Sequence, residues 1–247
     1  MLENKTAVIT GCNRGIGLET LELFSQNKAN IFACVRKIDG DIKEKIKLME
    51  KKYSNKIFPI EFDLTNREII SNAIKTINSQ EYNINILVNN AAVIHNKLFQ
   101  LTKIEEFFEV FNINFFNQIY FVQGILRKIQ KTKNGSIIFL SSSAAEDGNI
   151  GRSAYSSSKA ALRSFAKVLS RELGSTKIRV NTISPGLTKT DMMFKSTDKK
   201  FLENIVNDIP LKRIGETLDV AKLILFLSSD LSSYITGQDL RIDGGLK

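Results

Sequence analysis

Tyr155 and Lys159 stand four residues apart in a stretch with helical periodicity, so their side chains share one face. A free phenol has a pKa of about 10 and exchanges protons poorly near neutrality. A neighbouring ammonium favours phenolate and draws that value down, which suits the pair to general acid–base work. A second group of residues points to phosphate. Thr10-Gly11-Cys12-Asn13-Arg14-Gly15-Ile16-Gly17 follows a short apolar run and opens a helical pattern. Gly11 permits a tight turn, Gly15 lets backbone approach a pyrophosphate, and Gly17 lets helix and strand pack closely. The helix start adds free N–H groups and positive partial charge. Gly11, Asn13, Arg14, Gly15, Ile16 and Gly17 are therefore candidate cofactor contacts. Their spacing is Gly-x3-Gly-x-Gly, not the commoner Gly-x-Gly-x2-Gly, so position between strand and helix carries the argument.

The next strand-like run ends Ala33-Cys34-Val35-Arg36-Lys37, where an NAD-selective site would place an acid. Arg36 and Arg14 can instead clasp a 2′-phosphate through bidentate guanidinium contacts. NADP(H) is the expected cofactor, with NAD(H) as the alternative. Asp63, in Phe62-Asp63-Leu64-Thr65, either accepts from the adenine amino group or caps the next helix. Leu64 joins it as a candidate contact. In Asn89-Asn90-Ala91-Ala92, the small residues leave room for a cofactor at Asn90 and Ala91, and the amides can tie loops together.

The elements that must position these groups alternate along the chain. Strands are expected at 5–10, 30–35, 57–62, 85–88, 136–141, 178–183 and 239–242. Helices are expected at 16–27, 42–52, 66–80 (capped near Thr65 or Asn66), 103–111, 115–131, 154–174 and 217–228. The segment 192–207 reads as a helical lid, and 188–207 as the region that selects substrate. This order predicts one α/β domain over 1–247, a Rossmann-like doubly wound parallel sheet of about seven strands. Its ligand site would lie at the carboxyl ends of the strands.

Composition narrows the function further. The chain has 247 residues, 43% hydrophobic and 25% charged, as in ordinary globular proteins. No apolar run is long enough to span a membrane, and Met1 to Lys5 lacks a signal-peptide layout, so a cytoplasmic protein is expected. The net charge of +9 is spread along the chain, which argues against nucleic acid or membrane as partner. The densest run, Lys43 to Lys52, alternates with Ile and Leu and reads as a solvated helix face. Cys12 and Cys34 read as small buried side chains. The single histidine, His95, rules out a multi-histidine metal site, and a loop or surface role is expected for it.

Taken together, the chain resembles the short-chain dehydrogenase/reductase family over nearly its whole length. The resemblance rests on Thr10 to Gly17, Asp63, Asn89-Asn90-Ala91, Asn114, Ser142, Tyr155-x3-Lys159, Pro185-Gly186 with Thr190, and Asp243-Gly244-Gly245. It implies catalysis by Asn114, Ser142, Tyr155 and Lys159. Ser142 is the choice within Ser141-Ser142-Ser143 because it stands thirteen residues before Tyr155. It also implies that Pro185, Gly186 and Thr190 lie over the nicotinamide, with Thr188 and backbone near Leu187 at its amide. Within the family, Arg213-Ile214-Gly215-Glu216 and Ser233 to Gln238 are similar to bacterial 3-oxoacyl-[acyl-carrier-protein] reductases. The implied substrate is a 3-oxoacyl thioester, on an acyl carrier protein or as a small molecule, and the implied assembly is a homotetramer or homodimer. Another alcohol or ketone, such as a sugar derivative, and a non-catalytic dinucleotide sensor are the alternatives. Two departures stand out: Ala92 replaces a usual glycine, and Phe116 stands where glycine is common. Lys133 and Lys177 are the candidate contacts for an acidic carrier.

Overall fold

The computed structural model describes residues 1–132, 134–196 and 205–246. Seven strands form one sheet: β1 (Thr6–Thr10), β2 (Asn30–Val35), β3 (Ile57–Glu61), β4 (Ile86–Asn89), β5 (Gly135–Leu140), β6 (Ile178–Pro185) and β7 (Asp239–Ile242). Their order is β3-β2-β1-β4-β5-β6-β7, and every pairing is parallel. The order reverses between β1 and β4, so a crevice opens at their carboxyl ends. Parallel strands covered on both faces need apolar residues on both faces. Ala7 and Ile9 of β1 pack on one side with Leu21, Phe24, Ile46 and Ile224, while Val8 packs on the other with Phe121, Ile125 and Leu162.

The helices follow local signals. Helix α1 (Gly15–Gln26) starts directly from the glycine loop. Helix α2 (Gly40–Tyr53) is capped by Asp39 and buries Ile42 and Ile46, so its lysine-rich face is solvated, as expected. Helix α3 (Arg67–Ser79) is capped by Asn66, whose side chain accepts from the N–H groups of Glu68 and Ile69. Helix α4 (Ile104–Phe111) continues through a π turn (Asn112–Phe116) into α5 (Asn117–Gln130). The sequence suggested a break there, and the chain instead stays helical with wider hydrogen bonds. A short helix, α6 (Ala144–Asp147), follows the serine run and had no periodic signal. Helix α7 (Ser153–Leu173) carries Tyr155 and Lys159. Helix α8 (Asp191–Ser196) forms the first part of the expected lid, and 197–204 lie outside the described residues. The helix Thr217–Ser228 and strand β7 have the expected boundaries. Among the described residues, no helix is long and apolar enough to cross a membrane.

Candidate active site

The glycine loop is held by backbone conformation and by one threonine. Gly11 has φ +79° and Gly15 has φ +57°, both in the region that favours glycine. A Cβ on Gly17 would stand 2.1 Å from the Gly11 carbonyl oxygen, so close packing of helix and strand requires a glycine there. The Thr10 hydroxyl accepts from the N–H groups of Asn90 and Ala91, each at 3.0 Å, and the Asn90 amide donates to the Thr10 carbonyl at 2.9 Å. The asparagine therefore ties two strand ends together, as read from its type. Asn13 has a similar part: its Oδ1 accepts from the Arg36 N–H at 3.0 Å, joining the loop to the end of β2. Helix α1 has no side-chain cap, which leaves its first N–H groups open to an anion. Cys12 and Cys34 are fully buried, and burial pushes both thiols up, in keeping with packing roles.

The two arginines expected at a 2′-phosphate are mostly exposed. Arg14 stands 3.5 Å from Asp191, and Arg36 stands 3.7 Å from Asp63. The other Asp63 oxygen accepts from the Thr65 N–H and hydroxyl at 2.9 and 2.8 Å. Asp63 is thus a turn residue and not the cap of α3, which is Asn66.

Tyr155 and Lys159 lie side by side on α7, both buried. The Lys159 Nζ donates to the Leu140 carbonyl at 2.7 Å and sits 5.9 Å from the centre of the Tyr155 ring. The Ser141 hydroxyl donates to the Lys159 carbonyl at 3.0 Å, which joins the serine run to α7. Electrostatically the pair differs from the expectation. Burial raises the Tyr155 phenol, while a hydrogen bond with Ser142 and the charge of Arg152 act in the other direction. Burial also draws Lys159 down to about 7. The lysine is pointed at a carbonyl in a dry site, so the groups that favour phenolate here are Ser142 and Arg152. Asn114 is fully buried in the π turn. Its Oδ1 accepts from the Val93 N–H at 2.9 Å, and its Nδ2 donates to the Val93 carbonyl and the Ser158 hydroxyl at 2.9 and 3.2 Å. Ser158 in turn donates to the Tyr155 carbonyl at 2.7 Å. π turns often bring one side chain out of helical register at functional sites.

The roof comes from the end of β6. The Pro185 carbonyl accepts from the Ser143 N–H, and the Gly186 N–H donates to Ile242. A Cβ on Gly186 would lie 2.5 Å from the Asp243 Cβ, so Asp243-Gly244-Gly245 sets the path of this loop. Thr188 pairs with Gly215, and the Thr190 hydroxyl accepts from the Met193 N–H.

One cavity of about 500 Å³ joins these parts. Of the expected cofactor contacts, Gly11, Asn13, Arg14, Gly15, Ile16, Arg36, Asp63, Leu64, Asn90, Ala91, Pro185, Gly186 and Thr188 line it, together with Ser142, Tyr155 and Lys159. Gly17 and Asn114 lie behind the wall. Ala92 also lines the cavity, whereas Phe116 is half exposed and meets Phe115 edge to face. Arg152 lines it too, although no motif marks it in the sequence. Its one signal is a position three residues before Tyr155, on the same helical side. Lys177 precedes β6 and so stands at the end of that strand opposite to Pro185. It is removed from the site mouth, and Lys133 lies outside the described residues. His95 is half-buried beside Glu106 at 3.3 Å, in a loop, as expected.

A doubly wound parallel sheet, with a glycine loop at its first crossover and a buried Tyr–Lys pair across the same crevice, defines a dinucleotide-binding oxidoreductase. The chain belongs to the short-chain dehydrogenase/reductase family. The pattern of a family described as enoyl-(acyl carrier protein) reductase matches residues 11–247. A 3-oxoacyl-[acyl-carrier-protein] reductase of Thermotoga maritima is 36% identical over 249 residues, covering 99% of this chain and 98% of the relative. Its counterpart from Chlamydia trachomatis is 34% identical over 247 residues, covering 100% and 98%. Among solved structures, L-sorbose reductase from Gluconobacter frateurii, complexed with NADPH and L-sorbose, superposes with a TM-score of 0.91. It has 26% identity and covers 99% of this chain and 97% of that one.

Proposed function

We propose that the chain reduces 3-oxoacyl thioesters to 3-hydroxyacyl thioesters with NADPH, using Tyr155 as general acid. The observation that carries this reading is the single cavity running from the glycine loop to Tyr155 and Ser142. The substrate class is supported by full-length similarity to two 3-oxoacyl-[acyl-carrier-protein] reductases. A second reading, reduction of a sugar-like ketone, rests on the likeness to L-sorbose reductase.

The residues present fit the dinucleotide. The uncapped start of α1 offers N–H groups to the pyrophosphate. Among the described residues, Arg14 and Arg36 keep only long contacts to carboxylates, at 3.5 and 3.7 Å, and are free to turn onto a 2′-phosphate. Asp63, Leu64, Asn90 and Ala91 would border the adenosine, and Pro185, Gly186 and Thr188 the nicotinamide. When bound, the reduced nicotinamide supplies the two electrons and the hydrogen that reach the carbonyl carbon.

The rest is done by side chains. Burial keeps Tyr155 in its phenol form, so a proton is available for the substrate oxygen. The Ser142 hydroxyl donates to that oxygen and stabilises its developing charge. Lys159 holds ribose hydroxyls beside the phenol. Asn114 braces Val93 and Ser158 behind Tyr155 and retains one Oδ1 lone pair for a water that links Lys159 to solvent. The chain acts as one domain, with the described part of the lid, 188–196, at the substrate end of the cavity, where Met192 and Met193 line it. We also infer a homodimer or homotetramer, because Phe99, Ile104, Phe108, Phe116 and Val168 leave a broad apolar surface exposed around α4, α5 and α7.

The direct test follows NADPH absorbance with acetoacetyl, crotonyl and L-sorbose substrates, then repeats the active case with NADH. Fast NADPH oxidation by the acetoacetyl thioester, slower with NADH, is expected. Tyr155→Phe should bind NADPH normally and lose about 10²–10⁴-fold in kcat. Turnover of crotonyl thioester or L-sorbose alone would keep the family and replace the substrate. Retained turnover in Tyr155→Phe would remove the proposed acid.

A further inference from the structure

Arg152 immediately precedes α7 and is held there by its backbone. Its N–H donates to the Asn149 carbonyl at 3.2 Å, and its own carbonyl accepts from the Ser156 N–H at 2.7 Å. The side chain is half-buried and lines the same cavity as Ser142 and Tyr155. It stands three residues before Tyr155, and its charge acts on that phenol.

Among the described residues, no carboxylate or carbonyl engages this guanidinium. That is unusual for its surroundings. Arg163 pairs with Glu146 and Asp239 at 3.1 and 3.0 Å. Arg241 holds Asp147 and Asp243, each at 2.6 Å. The nearby acids of α6 are thus committed elsewhere. Val93, Ile94, Leu187, Met192 and Met193, which also line the cavity, bring apolar side chains to it. A guanidinium is a fork of donors with no acceptor, and partial burial without a partner is costly. A bound molecule that brings an oxygen to it would satisfy both its charge and its geometry.

We propose that Arg152 anchors the substrate by binding its C1 oxygen, two carbons from the ketone held by Ser142 and Tyr155. This rests on the 3-oxoacyl reading above and makes it specific: Arg152 distinguishes a 3-oxo acid derivative from an isolated ketone. The C1 oxygen is either a thioester carbonyl or a free carboxylate, and both present a lone pair to the same donor fork. The residue is a specificity determinant and does not take part in proton transfer.

The test measures NADPH oxidation by the full-length wild-type, Arg152→Ala and Arg152→Lys proteins. The substrates are an acetoacetyl N-acetylcysteamine thioester, acetoacetate, and the activated monoketone trifluoroacetophenone. Loss of one charge-assisted hydrogen bond should raise KM for the preferred 3-oxo substrate on the order of tenfold to a hundredfold in Arg152→Ala. The loss in kcat/KM should be at least about tenfold greater for the 3-oxo substrate than for the monoketone, since any effect through the Tyr155 phenol falls on both substrates equally. Arg152→Lys should recover part of the loss through its own charge. Wild-type preference for the thioester or for acetoacetate identifies which C1 oxygen is bound. Unchanged KM in Arg152→Ala overturns the proposal. So does a fall in kcat with a displaced pH profile for every substrate, which would make Arg152 a modulator of Tyr155. Melting temperature and NADPH affinity confirm that each variant folds, and Arg152→Gln replaces Arg152→Ala if that one does not. Failure of the wild type on both 3-oxo substrates, with NADPH binding intact, sinks the substrate reading itself and with it this role.

Discussion

Lys159 has its ammonium group in a site only 2% exposed, with one carbonyl partner. Its pKa falls to about 7 from an ordinary 10.5, because burial penalises the charged form. The unfolded chain therefore binds more protons than the folded chain between those two values, and stability rises with pH across that window. Replacing the lysine with a neutral side chain of similar length removes this dependence. Thermal melts of the ligand-free protein should show the wild type gaining stability from pH 7 to 10, and Lys159→Met gaining less. Parallel curves would mean that Lys159 titrates as an ordinary surface lysine. The same burial reverses part of the charge argument made from the Tyr-x3-Lys spacing. Proximity on a helix face is legible from residue numbers, whereas the direction of a flexible lysine and the dryness of its site are not.

At the level of elements, the glycine loop shows how a motif becomes a constraint. Gly17 lies on the first turn of α1, yet what excludes a side chain is the carbonyl of Gly11, six residues earlier. Gly17→Ala forces that carbonyl, or the Asn90 amide at 2.7 Å from the new methyl, to move. The expected cost is about 1–3 kcal/mol, seen as a melting temperature lower by several degrees, together with weakened NADPH binding by calorimetry. An alanine variant with wild-type melting and affinity would show that the loop accommodates the methyl. Long periodic elements were readable in advance: 217–228 and 239–242 agree with the sequence in both boundaries. The π turn at Asn112–Phe116 was not, because local periodicity does not report it. It depends on Asn114 finding both backbone groups of Val93, which arrives from the far side of the crevice. Asp63 illustrates the same limit, since turn and cap chemistry look alike until Asn66 is seen to hold the start of α3.

For the whole molecule, the positive charge and the apolar surface have separate consequences. The net charge of +9 is distributed over solvated faces such as that of α2. Part of the exposed apolar surface falls on one stretch, the turn before α4 and α4 itself: Phe99 is 74% exposed, Phe108 61% and Ile104 58%. Exposed apolar side chains of this kind are expected to close against a second copy of the chain. Light scattering after size exclusion should return a mass of two or four chains, and Phe108→Glu should lower it. A single-chain mass for the wild type at micromolar concentration would remove the assembly from the reading.

The division between what the chain's order of residues determined and what folding decided follows range. Alternating apolar runs, glycine spacing and the Tyr-x3-Lys pair are short-range features, so the parallel sheet, the glycine loop and the candidate Tyr–Lys pair could be read before any coordinates. Ser142 and Asn114 followed from resemblance, and the structure adds how each is held. Arg152 emerged only when α7 was packed over the end of β5, where a residue with an unremarkable sequence context faces the cavity without a partner. Lys177 lies away from the site for the converse reason, since the direction of β6 carries it to the opposite end of the sheet. Packing decides which charges are paired, which are dry and which face a ligand, because those properties depend on groups brought from distant parts of the chain.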